Sequence, residues 1–157
     1  MSGLDFRIGL LKSYSYLSGY IEQADFNIFN KALGTHNFGC RVKEDTKIQV
    51  ESIIKLINQK NQLVKLFNAL TRTLNAVEEK DRKLLLWRYV KKKDAGLVMQ
   101  KMKLSKGAYY SHLRKALSQV EAHLKKEEID ENWFFENYST KAWFRRLIDF
   151  AFESGCH

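Results

Sequence analysis

The chain has 157 residues, 45% hydrophobic and 13% aromatic, which suits one packed domain, or one core with an appended element, and excludes a disordered polypeptide. It carries a formal net charge of +9, has no proline, and has two cysteines, too few for a disulfide scaffold. No apolar run approaches the roughly 18–20 residues of a membrane span, and the start Met1-Ser2-Gly3-Leu4-Asp5-Phe6-Arg7 lacks a leader's charged and apolar regions; a cytoplasmic protein with reduced thiols and no membrane partner is expected.

Without proline, and with β-branched residues scattered, long uninterrupted helices are favoured over strands, so the expected fold is all-α. Leu4, Ile8, Leu11, Tyr14, Leu17 and Ile21 recur at steps of three or four, which predicts a helix from Leu4 to about Ala24. Phe26 to Leu33 forms a short second segment stopped by Gly34, and Thr35 to Cys40 reads as a loop. His36 and Cys40 have ligand-like spacing but no second pair, so a loop residue and a buried thiol are expected there and no metal site.

From about Glu44 to Leu74 nothing breaks a helix, and Val50, Ile53, Ile54, Ile57, Val64, Phe67, Leu70 and Leu74 form its apolar stripe. Such a length implies packing along another long helix, either the first of this chain or one from a second copy in a homodimer. Asn75 is a candidate cap for the next helix, which has Glu78 and Glu79 in its first turn, offers Leu84, Leu85, Trp87 and Val90 to a core and runs to about Lys91. Asp94 caps a short helix ending near Lys103, and Ser105 caps another running to about Lys126. Glu127, Glu128, Asp130 and Glu131 read as a solvated acidic hinge. Beyond it the tail is crowded with aromatics, and Ser139 is placed to cap a last helix carrying Trp143, Leu147, Ile148 and Ala151 at core spacing. Trp143, Phe144 and Phe150 either close the core or form a subunit contact. The chain thus divides into a helical or oligomerisation region (1–76), a helix-turn-helix region (77–126) and an aromatic extension (127–157).

Charge singles out the middle region. Between Lys80 and Lys126 there are fourteen Lys and Arg against Asp81, Asp94 and Glu121, a net +11, so the rest of the chain sums to −2. A basic face this concentrated fits the phosphate backbone of nucleic acid, double-stranded DNA first and RNA as a further alternative. Within it, Val98, Met102 and Leu104 are suited to pack a short helix, and Tyr109, Leu113, Ala116, Leu117 and Val120 form one buried stripe. Lys106, Gly107, Tyr110, Ser111 and Arg114 are left on the opposite face, at the end of the second helix that enters the major groove in this motif. Arg114 suits a bidentate pair with guanine and Ser111 suits several base edges. Tyr110 suits a phosphate or a thymine methyl, and Lys106 a phosphate at the positive end of the helix dipole. Lys91, Lys92 and Lys93, and Lys115 further along, are expected to clamp the backbone and steepen the salt dependence of binding. No glycine-rich phosphate loop, nucleophile setting or metal signature is present, so neither an enzyme nor a cofactor is expected.

The run Glu-Glu-Lys-Asp-Arg-x-Leu-Leu from Glu78, the Tyr89-Val90 ending of that helix, and Leu-Ser-Lys-Gly-Ala-Tyr-Tyr-Ser-His-Leu-Arg-Lys-Ala-Leu from Leu104 resemble the fourth region of bacterial sigma factors. Within that group, the stretch from about Val77 to Leu124 is most similar to the ArpU and RinA type of phage and prophage late-gene activators of Gram-positive bacteria. The resemblance implies a DNA-binding transcription regulator whose DNA-facing positions are Lys106, Gly107, Tyr110, Ser111 and Arg114. The alternative it implies is a sigma-like accessory or antagonist protein that contacts RNA polymerase. Lys103 departs from the pattern, standing where a glycine usually makes the turn, so either a lysine takes a conformation that glycine adopts more easily or the turn is reshaped.

Overall fold

A computed structural model describes residues 4–34 and 46–154. The protein is all-α, with seven α-helices and one π-helical turn and no strand among the described residues. The helices are α1 (Phe6–Gly34), α2 (Thr46–Ala76), α3 (Glu79–Leu85), α4 (Ala95–Met102), α5 (Lys106–Lys126), α6 (Glu131–Thr140) and α7 (Ala142–Glu153). The π turn, Leu86–Val90, continues directly from α3. The loop expected from Thr35 to Cys40, with the His36 and Cys40 pair, lies outside the described residues.

Two compact units divide the chain: Met1–Tyr16 with Asn68–His157, and Leu17–Phe67. Their boundaries fall inside α1 and α2. The helix-turn-helix region and the aromatic extension therefore belong to one unit, while residues 1–76 are shared between both.

Several boundaries differ from those the sequence suggests. The segments before and after Asp25 are one helix, because Asp25 is an ordinary helical residue whose carboxylate pairs with Lys60 within the smaller unit. Asn75 is no cap: α2 runs through it to Ala76, and α3 starts after Glu78 without a side-chain cap bond. The tail holds two helices. Asp130 accepts the Trp133 backbone N–H at 2.8 Å and starts α6, which contains Ser139; α7 then begins after Lys141 without a cap. Arg145, one turn into α7, instead donates to the Tyr138 and Ser139 carbonyls and so closes the end of α6.

In the larger unit Phe134 and Phe144 carry the tail's aromatics into the core. Phe134 and Phe144 are fully buried, edge to face at 5.4 Å, with Trp133 and Trp143 set edge-on to Phe144 at 5.5 and 5.8 Å. Phe6 of α1 joins them, its ring centroid 6.3 Å from that of Phe134. Gly9 lets α1 pack close against the rings: a Cβ there would lie 3.2 Å from Phe134 and 3.3 Å from Phe152, so a larger residue would push the rings back by a few tenths of an ångström. Leu147, Ile148 and Ala151 complete the buried face of α7, whereas Phe150 remains 45% exposed with its ring edge-on to Tyr16.

Three stretches in this unit end on non-glycine residues in the left-handed region: Lys92 after the π turn, Lys103 after α4 and Glu128 after α5. At the end of α5 the N–H of Ile129 bonds the Leu124 carbonyl and that of Glu128 bonds Lys125, the paired pattern that usually places glycine at the left-handed position. Ile129 and Leu124 are both buried, which accounts for the tight closure. Glu128 and Glu131 of the acidic run are exposed as expected, but the run is a built junction: Glu128 makes the turn, Asp130 caps α6, and Glu127 takes a two-pronged bond from Arg72 at 2.8 and 2.7 Å. Since Glu128 is exposed and L-residues pay a steric cost in this region, Glu128→Gly is expected to stabilise the fold by about 1 kcal/mol, read as a higher denaturant midpoint with unchanged slope.

Candidate nucleic-acid interface

The helix-turn-helix is assembled around three fully or nearly fully buried side chains, Leu84 of α3, Val98 of α4 and Tyr109 of α5. Trp87, Ala95, Met99, Met102, Leu104 and Leu113 pack against them. Both helix starts are fixed by capping side chains. Asp94 accepts the Leu97 N–H at 2.8 Å, and Ser105 accepts the Ala108 N–H at 3.2 Å. Between them Lys103, at φ 55 and ψ 46, forms the turn in the left-handed conformation, with Leu104 N–H on the Met99 carbonyl and Lys103 N–H on Gln100. The lysine in glycine's place thus adopts glycine's geometry.

The buried face of α5 is Tyr109, Ala116, Leu117, Val120 and Leu124, with Leu113 half-buried. Burial pushes the Tyr109 phenol up from its ordinary pKa, and the nearby Arg88 guanidinium offsets part of that shift. The opposite face carries Lys106, Gly107, Tyr110, Ser111 and Arg114, all exposed. Gly107, Tyr110 and Arg114 lie at steps of three and four and so form one ridge running from the helix's first turn. Nothing lies within 4 Å of where a Gly107 Cβ would sit, so the ridge is open at its N-terminal end. The Tyr110 ring is held edge-on by Tyr109 at 4.9 Å.

The flanking lysines divide. Lys91 and Lys93 are exposed. Lys92 is not a free cation: its ammonium donates to the Tyr16 hydroxyl and to the Ala151 carbonyl, both at 2.7 Å, and lies 4.6 Å from the Tyr16 ring centre. The bond from Lys92 holds the Tyr16 phenol below its ordinary pKa, against a smaller opposing effect of burial. Left-handed at φ 57, Lys92 turns the side chain inward and leaves its neighbours facing out. It therefore fastens the turn before α4 to α1 and α7, and its expected place on a phosphate is corrected. Lys115 is exposed but bonds Glu78 at 3.2 Å and lies 4.0 Å from Asp81.

Asp81 is the site residue that sequence reading missed. It is 1% exposed on α3 and meets three side chains of α5: His112 Nδ1 at 3.3 Å, Gln119 Nε2 at 3.5 Å and Lys115. His112 and Gln119 are seven residues apart and share one line of the helix, a spacing visible in sequence had an acid been sought opposite it. This polar seam supplements the Leu84–Val98–Tyr109 core in setting the rotation of α5. Among the described residues no three His, Cys, Asp or Glu side chains gather as a metal site. No helix among them is long and apolar enough to cross a membrane.

A family model described as "Protein of unknown function (DUF1492)" matches residues 39–121, just over half of the chain. The chain belongs to the DUF1492 family. The DUF1492 match takes in all of α2, α3 and α4 and most of α5, so it contains every residue of the exposed ridge. The aromatic helices α6 and α7 lie beyond the DUF1492 match. No curated protein matches this DUF1492 chain, and no solved structure does.

The two kinds of lysine are separable by experiment. Lys92→Ala removes two charge-assisted bonds, so a loss of about 2 kcal/mol in unfolding free energy is expected. Exposed Lys93→Ala should leave stability within about 0.5 kcal/mol of wild type by the same denaturation measurement.

Proposed function

We propose that this DUF1492 protein is a sequence-specific double-stranded DNA-binding transcription regulator, acting as a homodimer. The observation that carries the reading is the ridge of Gly107, Tyr110 and Arg114 with Lys106 and Ser111. It is exposed on a helix whose start is fixed by a left-handed turn and a serine cap, inside a segment of net charge +11. A helix presented this way, N-terminal half outward, is how the helix-turn-helix enters a major groove. The resemblance of the Leu-Ser-Lys-Gly-Ala-Tyr-Tyr segment to the fourth region of sigma factors, and within it to the ArpU and RinA type of phage activators, supports the same reading.

Chemistry divides the roles. Arg114 offers five donors in a planar fork and recognises guanine O6 and N7; Ser111, on the adjoining line, reaches a neighbouring base edge. Lys106 in the first turn of α5 meets a phosphate together with the free backbone N–H groups of that turn. Lys91 and Lys93 bind the backbone without reading it. Gly107 allows the sugar-phosphate chain to approach the helix backbone closely.

Capture of randomised and genomic duplex fragments on the purified protein at near-physiological salt, followed by sequencing, tests the proposal. Enrichment of an inverted repeat is the expected result. Binding that is non-specific and merely fades with salt overturns sequence-specific reading. Polymerase binding with no affinity for duplex favours the sigma-like accessory role instead.

Two substitutions locate the reading face. Arg114→Ala is expected to cost about 1–3 kcal/mol on the preferred site and relax preference at one base pair, whereas Lys93→Ala should weaken all sequences alike and flatten the salt slope by about one unit, both by titration across a salt series. Gly107→Ala should raise fold stability by about 0.5 kcal/mol while lowering affinity for duplex, because the added methyl meets no protein atom but stands where the backbone approaches. Unchanged affinity in that variant would place the duplex elsewhere on the helix.

A further inference from the structure

The smaller unit leaves large apolar side chains of α2 exposed. Val50, Ile54 and Ile57 of α2 are 49, 51 and 39% exposed. They are spaced by four and three, and the same progression continues through Asn61 to Val64. In heptad terms these five residues alternate between the two seam positions of a coiled coil. They are separate from the face of α2 that carries buried Gln49, Leu63 and Leu66. The seam thus lies on a side of α2 that the intramolecular packing leaves open.

We propose that this face of α2 is a subunit interface with a second copy of the chain, in which the two α2 helices pair antiparallel about a two-fold axis. Charge decides both the occupant and the direction. One flank of the seam carries Glu51, Asn58 and Lys65 in successive heptads, all exposed. In antiparallel pairing equivalent flanks face each other. With Ile54 set against Val64 of the second copy, and Ile57 against its Asn61, Glu51 meets Lys65 of the second copy and the two Asn58 residues meet at the axis. The symmetry generates the ion pair twice. Parallel pairing has no such match: it brings Lys60 towards Lys65 of the second copy twice, whereas antiparallel pairing sets Lys60 opposite Lys60 once, at the axis, with each Lys60 already paired to Asp25 of its own chain. The Glu51–Asn58–Lys65 flank is thus complementary to itself when the two helices run antiparallel.

This inference deepens the dimeric part of the function proposed above, and its test is read in mass, so it succeeds or fails separately from DNA binding. The experiment is sedimentation equilibrium on the full chain from low to high micromolar concentration, with helicity followed by circular dichroism. Wild type is expected to associate reversibly to a dimer. Ile54→Glu with Ile57→Glu should remain helical and become monomeric, since both side chains are exposed within one chain. Glu51→Lys or Lys65→Glu alone should weaken association about tenfold, and the two together should restore it. Because these residues lie about 21 Å apart along a single helix, restoration requires contact between copies. A wild type monomeric at every concentration overturns the interface. Single variants that associate like wild type, or a double variant that fails to recover, overturn the antiparallel pairing.

Discussion

The burial of Tyr109 against Leu84 and Val98 settles the rotation of α5, and most of what the basic segment can do follows from that angle. A helix inserted into a groove is read by whichever third of its circumference faces out. A rotation of one residue, about 100°, would put Ser111 where Tyr110 stands and turn Arg114 out of line. Two independent contacts resist that rotation. Apolar packing holds one side of α5, and the buried Asp81 carboxylate meets His112 and Gln119 on another. Apolar contacts alone tolerate sliding; a carboxylate with fixed partners does not, because a small turn leaves a buried charge without them.

The same logic explains why the three left-handed residues matter more than three turns usually would. Each forces an abrupt change of direction at a point where glycine would be the easier choice. At Lys92 the side chain gives a reason: no glycine could reach Tyr16 and Ala151. At Glu128 the turn serves packing, since Ile129 is drawn into the core directly after it, and glycine would make the same turn at lower cost. The strain is small beside the burial on either side, and the junctions gain a defined geometry.

Sequence reading recovered what depends on local chemistry. Asp94 and Ser105 cap the helices they were expected to cap, because such a cap needs only a short side chain and a backbone N–H three residues on. The exposed ridge of α5 was legible for a similar reason: steps of three and four define a face without further information. What was not legible depends on partners distant in sequence. Asn75 and Ser139 have good capping chemistry, but tertiary packing carries each helix past them. Lys92 looked like its neighbours Lys91 and Lys93 until its backbone angle turned it towards residues 76 and 59 positions away. Asp81 looked like a minor offset in a basic run, although it is the carboxylate on which that run is seated.

The π turn at Leu86–Val90 gives the basic run its compass bearing. There the N–H of Lys91 bonds the carbonyl of Leu86, five residues back, where an α-helix would use four. One residue is therefore accommodated in a widened turn without displacing Leu84 and Leu85, which remain buried before it. The same residues wound as ordinary α-helix would swing the lysines after it about 100° from their present direction. A chain shorter by one residue could close the turn as α-helix and leave them where they are, so the widened turn absorbs one residue of length without re-aiming the charged run.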